Sequence, residues 1–175
     1  DAIAAENKKT AKKAGPKTVS TGTSATKIVL TKEGKIESDN FKANKGKLPW
    51  PVDKGFVSQK FGNQPHQIQP KLIVHSNGVE ITTESGSSAR AVFAGTVYSI
   101  QILSPINTLV MIQHGDFITV YQNLSSVSVK KGDKVSIKQT IGKIRTNNST
   151  GKTALKFSVL QNDTFLNPQS WIYNM

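Results

Sequence analysis

The chain contains no cysteine, and that absence removes disulfides, thiolate zinc sites, iron–sulfur clusters and cysteine nucleophiles together. Histidine is scarce too. Only His66, His75 and His114 are present, nine and 39 positions apart, a spacing that matches no short metal-ligand motif. Long apolar runs are missing: the longest, such as 109–112, extend four residues. A membrane-spanning helix needs about 20. Acidic residues are few, with 11 Asp and Glu against 23 Lys and Arg, a net charge of +12 over 175 residues. Such a surplus points to an anionic partner and bears on association, not on fold or reaction. The chain opens on Asp1 instead of methionine, so it reads as a processed or cut product. The lack of a signal peptide then carries no information about the longer protein.

The charge that is present is unevenly spread. Residues 1–47 hold eleven Lys against five acids, and residues 48–175 hold twelve basic against six acidic residues, a net of +6 in each. Across the first 47 positions only Ile3, Val19, Ile28, Val29, Leu30, Ile36 and Phe41 are apolar and larger than alanine. Burial of so little surface does not offset an ordering cost of about 1–2 kcal/mol per residue. Residues 1–13, rich in Ala, Glu and Lys with the acids first, predict the end of a truncated helix or coiled coil. Residues 14–47 predict a basic linker with little regular structure, holding at most a short strand at 27–31 and one helical turn at 39–43. Residues 8–17 are lysine-rich, but no aromatic residue is interleaved, so nucleic-acid binding is not expected.

From Leu48 the pattern changes to that of strands. Val79 and Ile81 alternate with Gly78 and Glu80; Tyr98, Ile100 and Ile102 alternate with Ser99 and Gln101. A turn at 104–107 leads to the apolar run 109–112, and His114-Gly115-Asp116 turns into a strand over 117–122. Further strands are expected over 127–130, 135–137, 141–146 and 155–160, separated by Gly- and Asn-containing turns. With no amphipathic helix in this region, the prediction is an all-β sandwich or open barrel of antiparallel strands over residues 48–175. A faint echo between 86–97 and 129–142 suggests a duplicated motif.

Several pieces, taken in order, resemble one family. They are Leu48-Pro49-Trp50-Pro51, Phe61-Gly62, Asn77-Gly78-Val79-Glu80-Ile81, Ala94-Gly95-Thr96-Val97, His114-Gly115-Asp116, Thr119-Val120-Tyr121, Lys131-Gly132-Asp133, Ile141-Gly142 and Asn167-Pro168. The set is similar to the lysostaphin/LytM-type zinc endopeptidases, and the resemblance implies a LytM-like domain. Members of that family hold zinc through H-x-G-x-D and through the second His of an H-x-H strand. Two more histidines assist catalysis: the first of that H-x-H pair, and one just after a T-x-Y stretch. On this chain the ligand positions fall on Ser76, Glu80 and Lys156, and the assisting positions on Asn123 and Ala154. None keeps the family's residue.

Zinc hydrolysis needs about three neutral imidazole or carboxylate ligands and an open position for water. Ser76 and Lys156 are not imidazoles, and an ammonium repels a dication. The expectation is therefore a domain without cofactor or metal and without catalysis. Glu80 and Lys156 either form an ion pair in place of the metal or each point to solvent or another partner, the second reading being favoured because exposed pairs contribute only about 0–1 kcal/mol. His75 adjoins the first ligand position but, one residue out of register, is expected to face the other way. His66 and His114 are expected to be loop and turn residues, the latter bonded to backbone. The degenerate pattern is similar to that of EnvC-like murein hydrolase activators. The resemblance then implies a groove, here assigned to Glu80, Arg90, Tyr121, Asn123 and Lys156, that binds and switches on a peptidoglycan amidase in cell division and daughter-cell separation. It also implies the periplasm of a Gram-negative bacterium, and contact with a membrane division complex only through the missing coiled coil. The alternatives are an active zinc endopeptidase whose ligands lie elsewhere, or a passive peptidoglycan-binding module.

Overall fold

Apolar and polar residues alternating at period two build most of the molecule. The computed structural model describes residues 31–66 and 68–175. One helix comes first, α1 (Lys32–Ala43). The strands follow: β1 (Phe56–Gln59), β2 (Gly62–Pro65), β3 (Ile73–Ser76), β4 (Val79–Thr83), β5 (Ser88–Arg90), β6 (Gly95–Ser104), β7 (Asn107–His114) and β8 (Phe117–Val127). After them come β9 (Lys134–Val135), β10 (Thr140–Ile144), β11 (Thr153–Gln161), β12 (Thr164–Leu166) and a 3-10 turn at Pro168–Ser170. Every strand pair is antiparallel, in agreement with the expected all-β class.

The main sheet runs β1-β4-β11-β8-β7-β6-β9. β10 leaves this path to pair with β8 and β5, β12 pairs with β11, and β2–β3 form a separate hairpin. Register puts Val79, Phe157, Tyr121 and Val110 in one row across β4, β11, β8 and β7, all buried. Side chains one position away face the opposite side of the sheet, and that second face carries the candidate site.

The strands differ from expectation in places. β8 runs on to Val127, so 128–130 is a connection and not a strand. β1, β2, β3 and β12 were not foreseen. They are three or four residues long, and β2 (Gly62–Pro65) contains Gly, Asn, Gln and Pro, residues depleted in strands. The helical stub at 1–13, the linker over 14–30 and most of the 27–31 strand lie outside the described residues.

The linker reading over 32–47 is corrected. Thr31 caps α1 by accepting from the Gly34 N–H at 3.0 Å, Glu33 sits in the first turn and Lys42 in the last, as the helix dipole favours. The helix has too few apolar residues to show a periodic stripe; one residue docks it. Phe41 is completely buried, stacked on His114 (4.8 Å between ring centroids) and Trp171 (5.0 Å), with Phe117 at 4.9 Å. Full burial of such a ring stabilises by about 1.5–3 kcal/mol. Ser38 Oγ donates to Asp116. The helix can lie this close because position 115 is glycine. Gly115 has φ +71°, and a Cβ there would collide with Gly34 and Ser38. Beyond α1, the N–H groups of Gly46 and Leu48 both donate to the Trp171 carbonyl, and Tyr173 N–H returns to Leu48. Residues 32–47 are thereby tied to the C-terminal end of the domain.

Candidate functional site

On the outer face, register aligns Gln59, Glu80, Lys156, Gln122 and Leu109 across β1, β4, β11, β8 and β7. Above this row is a cleft of about 310 Å³, with Ser76, Glu80, Gln122, Lys156 and Ser158 among its lining. A second hollow of about 230 Å³, bounded by His66, Ile68, Val74 and Lys152, shares Gln59 and Glu80 with the first. The two therefore form one groove, interrupted where Gln59 and Glu80 meet. Gly78 lets β4 approach β11 at its edge, where a Cβ would run into the Phe157 carbonyl and Ser158 Oγ.

The three degenerate ligand positions converge in the cleft, each with its own fate. Ser76 Oγ donates to the Gly78 carbonyl at 2.8 Å, so its hydroxyl closes a local turn. Glu80 accepts from Ser58 Oγ at 3.0 Å and forms an ion pair with Lys152. Of the two readings of Glu80 and Lys156, the direct pair is not formed, and Glu80 takes another partner. Although Lys156 faces Glu80 directly in register, no ion pair joins them among the described residues, because Lys152 reaches the carboxylate from the 147–152 turn. Lys156 is exposed, and its ammonium is not neutralised by Glu80.

These residues do not fit zinc. Glu80 is a carboxylate already engaged by an ammonium, a second ammonium lies beside it, and Ser76 offers no imidazole. Among the described residues no group of three His, Asp or Glu side chains is placed to hold a metal ion.

The assisting positions are turned to structural use. Asn123 adopts φ +79°, its side-chain amide donates to the Ala154 carbonyl at 2.7 Å, and its own carbonyl accepts from Arg145 N–H. Neither it nor Ala154 lines the cleft. Tyr121, assigned to the groove from sequence, is instead fully buried. Its hydroxyl accepts from the Val92 N–H at 3.0 Å and bonds Thr119, whose Oγ1 also meets His114 Nε2 at 3.0 Å. His114 Nδ1 donates to the Ala94 carbonyl at 2.7 Å, the backbone bond expected of it. The result is a satisfied buried network that fastens the 92–94 segment to β7 and β8. Burial pushes the Tyr121 hydroxyl up to about 12 and lowers His114 to about 4. Arg90 is also corrected. Its Nε donates to the Trp50 carbonyl at 2.9 Å and its Nη1 lies 3.6 Å from Asp53, on β5 and away from the cleft.

Other cleft residues escaped the sequence reading. Gln122 lies between Tyr121 and Asn123, and strand alternation alone sends it to the opposite face from Tyr121. His75 lies at the cleft margin, and its ring bridges its register partner Asn63 (Oδ1, 2.7 Å) and Asn77 (Oδ1, 3.0 Å), one position out of step with Ser76 on β3. His66 is a loop residue whose Nδ1 accepts from the Ile68 and Gln69 N–H groups, each at 3.2 Å.

Residues 74–168, more than half of the chain, match the family described as Peptidase family M23. The chain belongs to that family. Over 100 residues it is 29% identical to an uncharacterized protein of Haemophilus influenzae, covering 57% of this chain and 24% of that protein. Over 102 residues it is 30% identical to stage II sporulation protein Q of Bacillus subtilis, covering 55% of this chain and 36% of the relative. It therefore spans only about a quarter to a third of these curated relatives. The M23 fold is also similar to a crystal structure of a complex of SpoIIIAH and SpoIIQ (TM-score 0.58, 26% identity, 70% of this chain and 97% of the other). The solution structure of lysostaphin shares the fold at 19% identity, with a TM-score of 0.54 over 71% of this chain and 52% of lysostaphin.

Proposed function

We propose that this M23 domain is non-catalytic and binds a protein segment in the groove where its peptidase relatives hold metal and substrate. The observation that carries the reading is the pairing of Lys152 with Glu80 while Lys156 stands beside it, so the ligand face presents ammonium groups instead of imidazoles. Stage II sporulation protein Q, a relative of this chain, carries a name shared with the SpoIIQ of a solved complex with SpoIIIAH, which supports a partner-binding role. The lining of the groove suits a partner that brings a carboxylate to Lys156 and lays apolar side chains beside Ile68 and Val74. Charge steers and orients such a contact more than it strengthens it.

The partner we propose is a cell-wall amidase, which the bound domain switches on in the periplasm during daughter-cell separation. Binding shifts the amidase toward its active form only by the difference in affinity for its two states. The test combines purified chain, a purified peptidoglycan amidase and dye-labelled sacculi. Dye release by the amidase should rise with added chain, and chain alone with added zinc should release none. No rise at saturating chain would remove the activator role, and zinc-dependent release by the chain alone would restore the endopeptidase reading. Sedimentation with sacculi but no effect on the amidase would favour a passive wall binder.

A further inference from the structure

Strand β6 is ten residues long, but β9 covers only Gly95 and Thr96 on its outer side, with Val97 bonded to Gly132 and Asp133. From Tyr98 to Ser104 that edge has no backbone partner among the described residues. Exposure rises along the same stretch: Ile102 is 77% exposed, Leu103 50%, and Ile106 in the following turn 53%. The hairpin β6–β7 therefore projects an apolar tip with an open edge.

Open edges are ordinarily blunted by lysine, by proline in the strand, by bulges or by a covering element. Here residues 91–115 contain no Lys, Arg, Asp or Glu at all, a 25-residue gap in a chain with 34 such residues. Pro105 lies in the turn beyond the strand. Two bulges, at 97–99 and 102–104, leave a regular stretch from Ser99 to Ile102 between them. An acidic partner would gain no electrostatic attraction at this edge. A second copy of the chain, which carries the same net charge of +12, could approach here without placing lysine against lysine.

We propose that the β6 edge pairs antiparallel with the β6 edge of a second copy across a two-fold axis. Strands joined this way lie about 4.8 Å apart, and the same residues face each other from both sides. Ile102 and Leu103 of each copy then bury against the other hairpin. With one short run of edge strand and a few apolar side chains from each copy in contact, the dimer should form at roughly micromolar concentrations and above. It lies at the far edge of the sheet from β1 and does not depend on what the groove binds.

Sedimentation equilibrium of the purified chain from about 1 to about 300 µM tests this, with a monomer–dimer equilibrium expected. Ile102→Lys places two like charges across the axis and should weaken the dimer about tenfold or more. Ile36→Lys, at an exposed isoleucine on α1 outside both the hairpin and the groove, should leave it unchanged. Amides of 98–104 should exchange more slowly with deuterium at high than at low chain concentration. A monomer throughout the range overturns the proposal. So does a dimer indifferent to Ile102→Lys, or one whose 98–104 amides exchange equally fast at both concentrations. Open-ended assembly in place of a dimer overturns it as well.

Discussion

Lys156 stands directly opposite Glu80 on adjoining strands, yet Glu80 gives its carboxylate to Lys152. Two lysines thus occupy the face where related peptidases place a metal, one neutralised and one left to the cleft. Ser76, the third position, spends its hydroxyl on the Gly78 carbonyl. What separates this cleft from a zinc site is its side chains: Ser76, Glu80 and Lys156 line it together, with no imidazole among the three.

That convergence makes the account of the site testable. Ser76→His, Glu80→Asp and Lys156→His together supply two imidazoles and one carboxylate on a framework that already brings 76, 80 and 156 around one cleft. By calorimetry the triple variant should bind one zinc per chain with Kd of about 1 µM or tighter, whereas the native chain binds none at that concentration. Lys156→His alone should not bind, because Glu80 remains paired with Lys152. Stoichiometric zinc on the native chain would contradict the account of the site.

The Glu80–Lys152 pair should matter little to stability. The Lys152 side chain is 41% exposed, and exposed pairs contribute about 0–1 kcal/mol. Lys152→Met should therefore shift the urea midpoint by less than the equivalent of about 1 kcal/mol. The same variant frees Glu80 to meet Lys156, so it should lower the affinity for an acidic partner while leaving the fold intact. A large loss of stability would mean that Lys152 supports the turn at 147–152 in some further way.

How legible all this was in the sequence depends on whether a residue acts through local pattern or through reach. His114-Gly115-Asp116 was readable as a turn whose histidine bonds backbone, and the burial of His114 and the positive φ of Gly115 show how that turn is fixed. The ligand positions were readable because register on β4 and β11 follows from motif order. Tyr121 was misplaced by proximity in sequence to Asn123. Alternation sends Tyr121 inward and Gln122 outward, and that period alone would have corrected it. Lys152 could not be foreseen as the partner of Glu80, since its side chain reaches in from a turn whose path no pattern specifies. Helix α1 was missed because a single aromatic ring holds it, and one ring makes no periodicity.

That ring gives a sharp prediction. Phe41→Ala empties the centre of the cluster formed by Phe93, His114, Phe117 and Trp171. The expected loss is about 3–5 kcal/mol in urea unfolding, which tryptophan fluorescence can follow because buried Trp171 stacks on Phe41. Ile36→Ala on the same helix, 61% exposed, should change stability by about 0.5 kcal/mol or less. Equal effects from the two would mean that α1 is not anchored by Phe41.

His114 makes the fold sensitive to acid. Its ring is completely buried, and desolvation lowers its pKa from the ordinary 6.5 to about 4 against the opposing effect of the Ala94 bond. Between those values the unfolded chain binds a proton that the folded chain refuses. Stability from this residue is therefore unaffected above about pH 6.5 and falls as pH drops toward 4, by up to about 3 kcal/mol. Urea titrations at several pH values between about 4.5 and 7.5 should show this decline in the native chain. In His114→Gln, whose amide can still bridge toward Ala94 and Thr119 but does not titrate, the decline over the same interval should be shallower. The carboxylates, Asp116 included, are common to both chains, so the difference between the two slopes isolates the imidazole. Parallel slopes would show that His114 is protonated as readily in the folded chain as in the unfolded one, and the buried neutral ring would have to be given up.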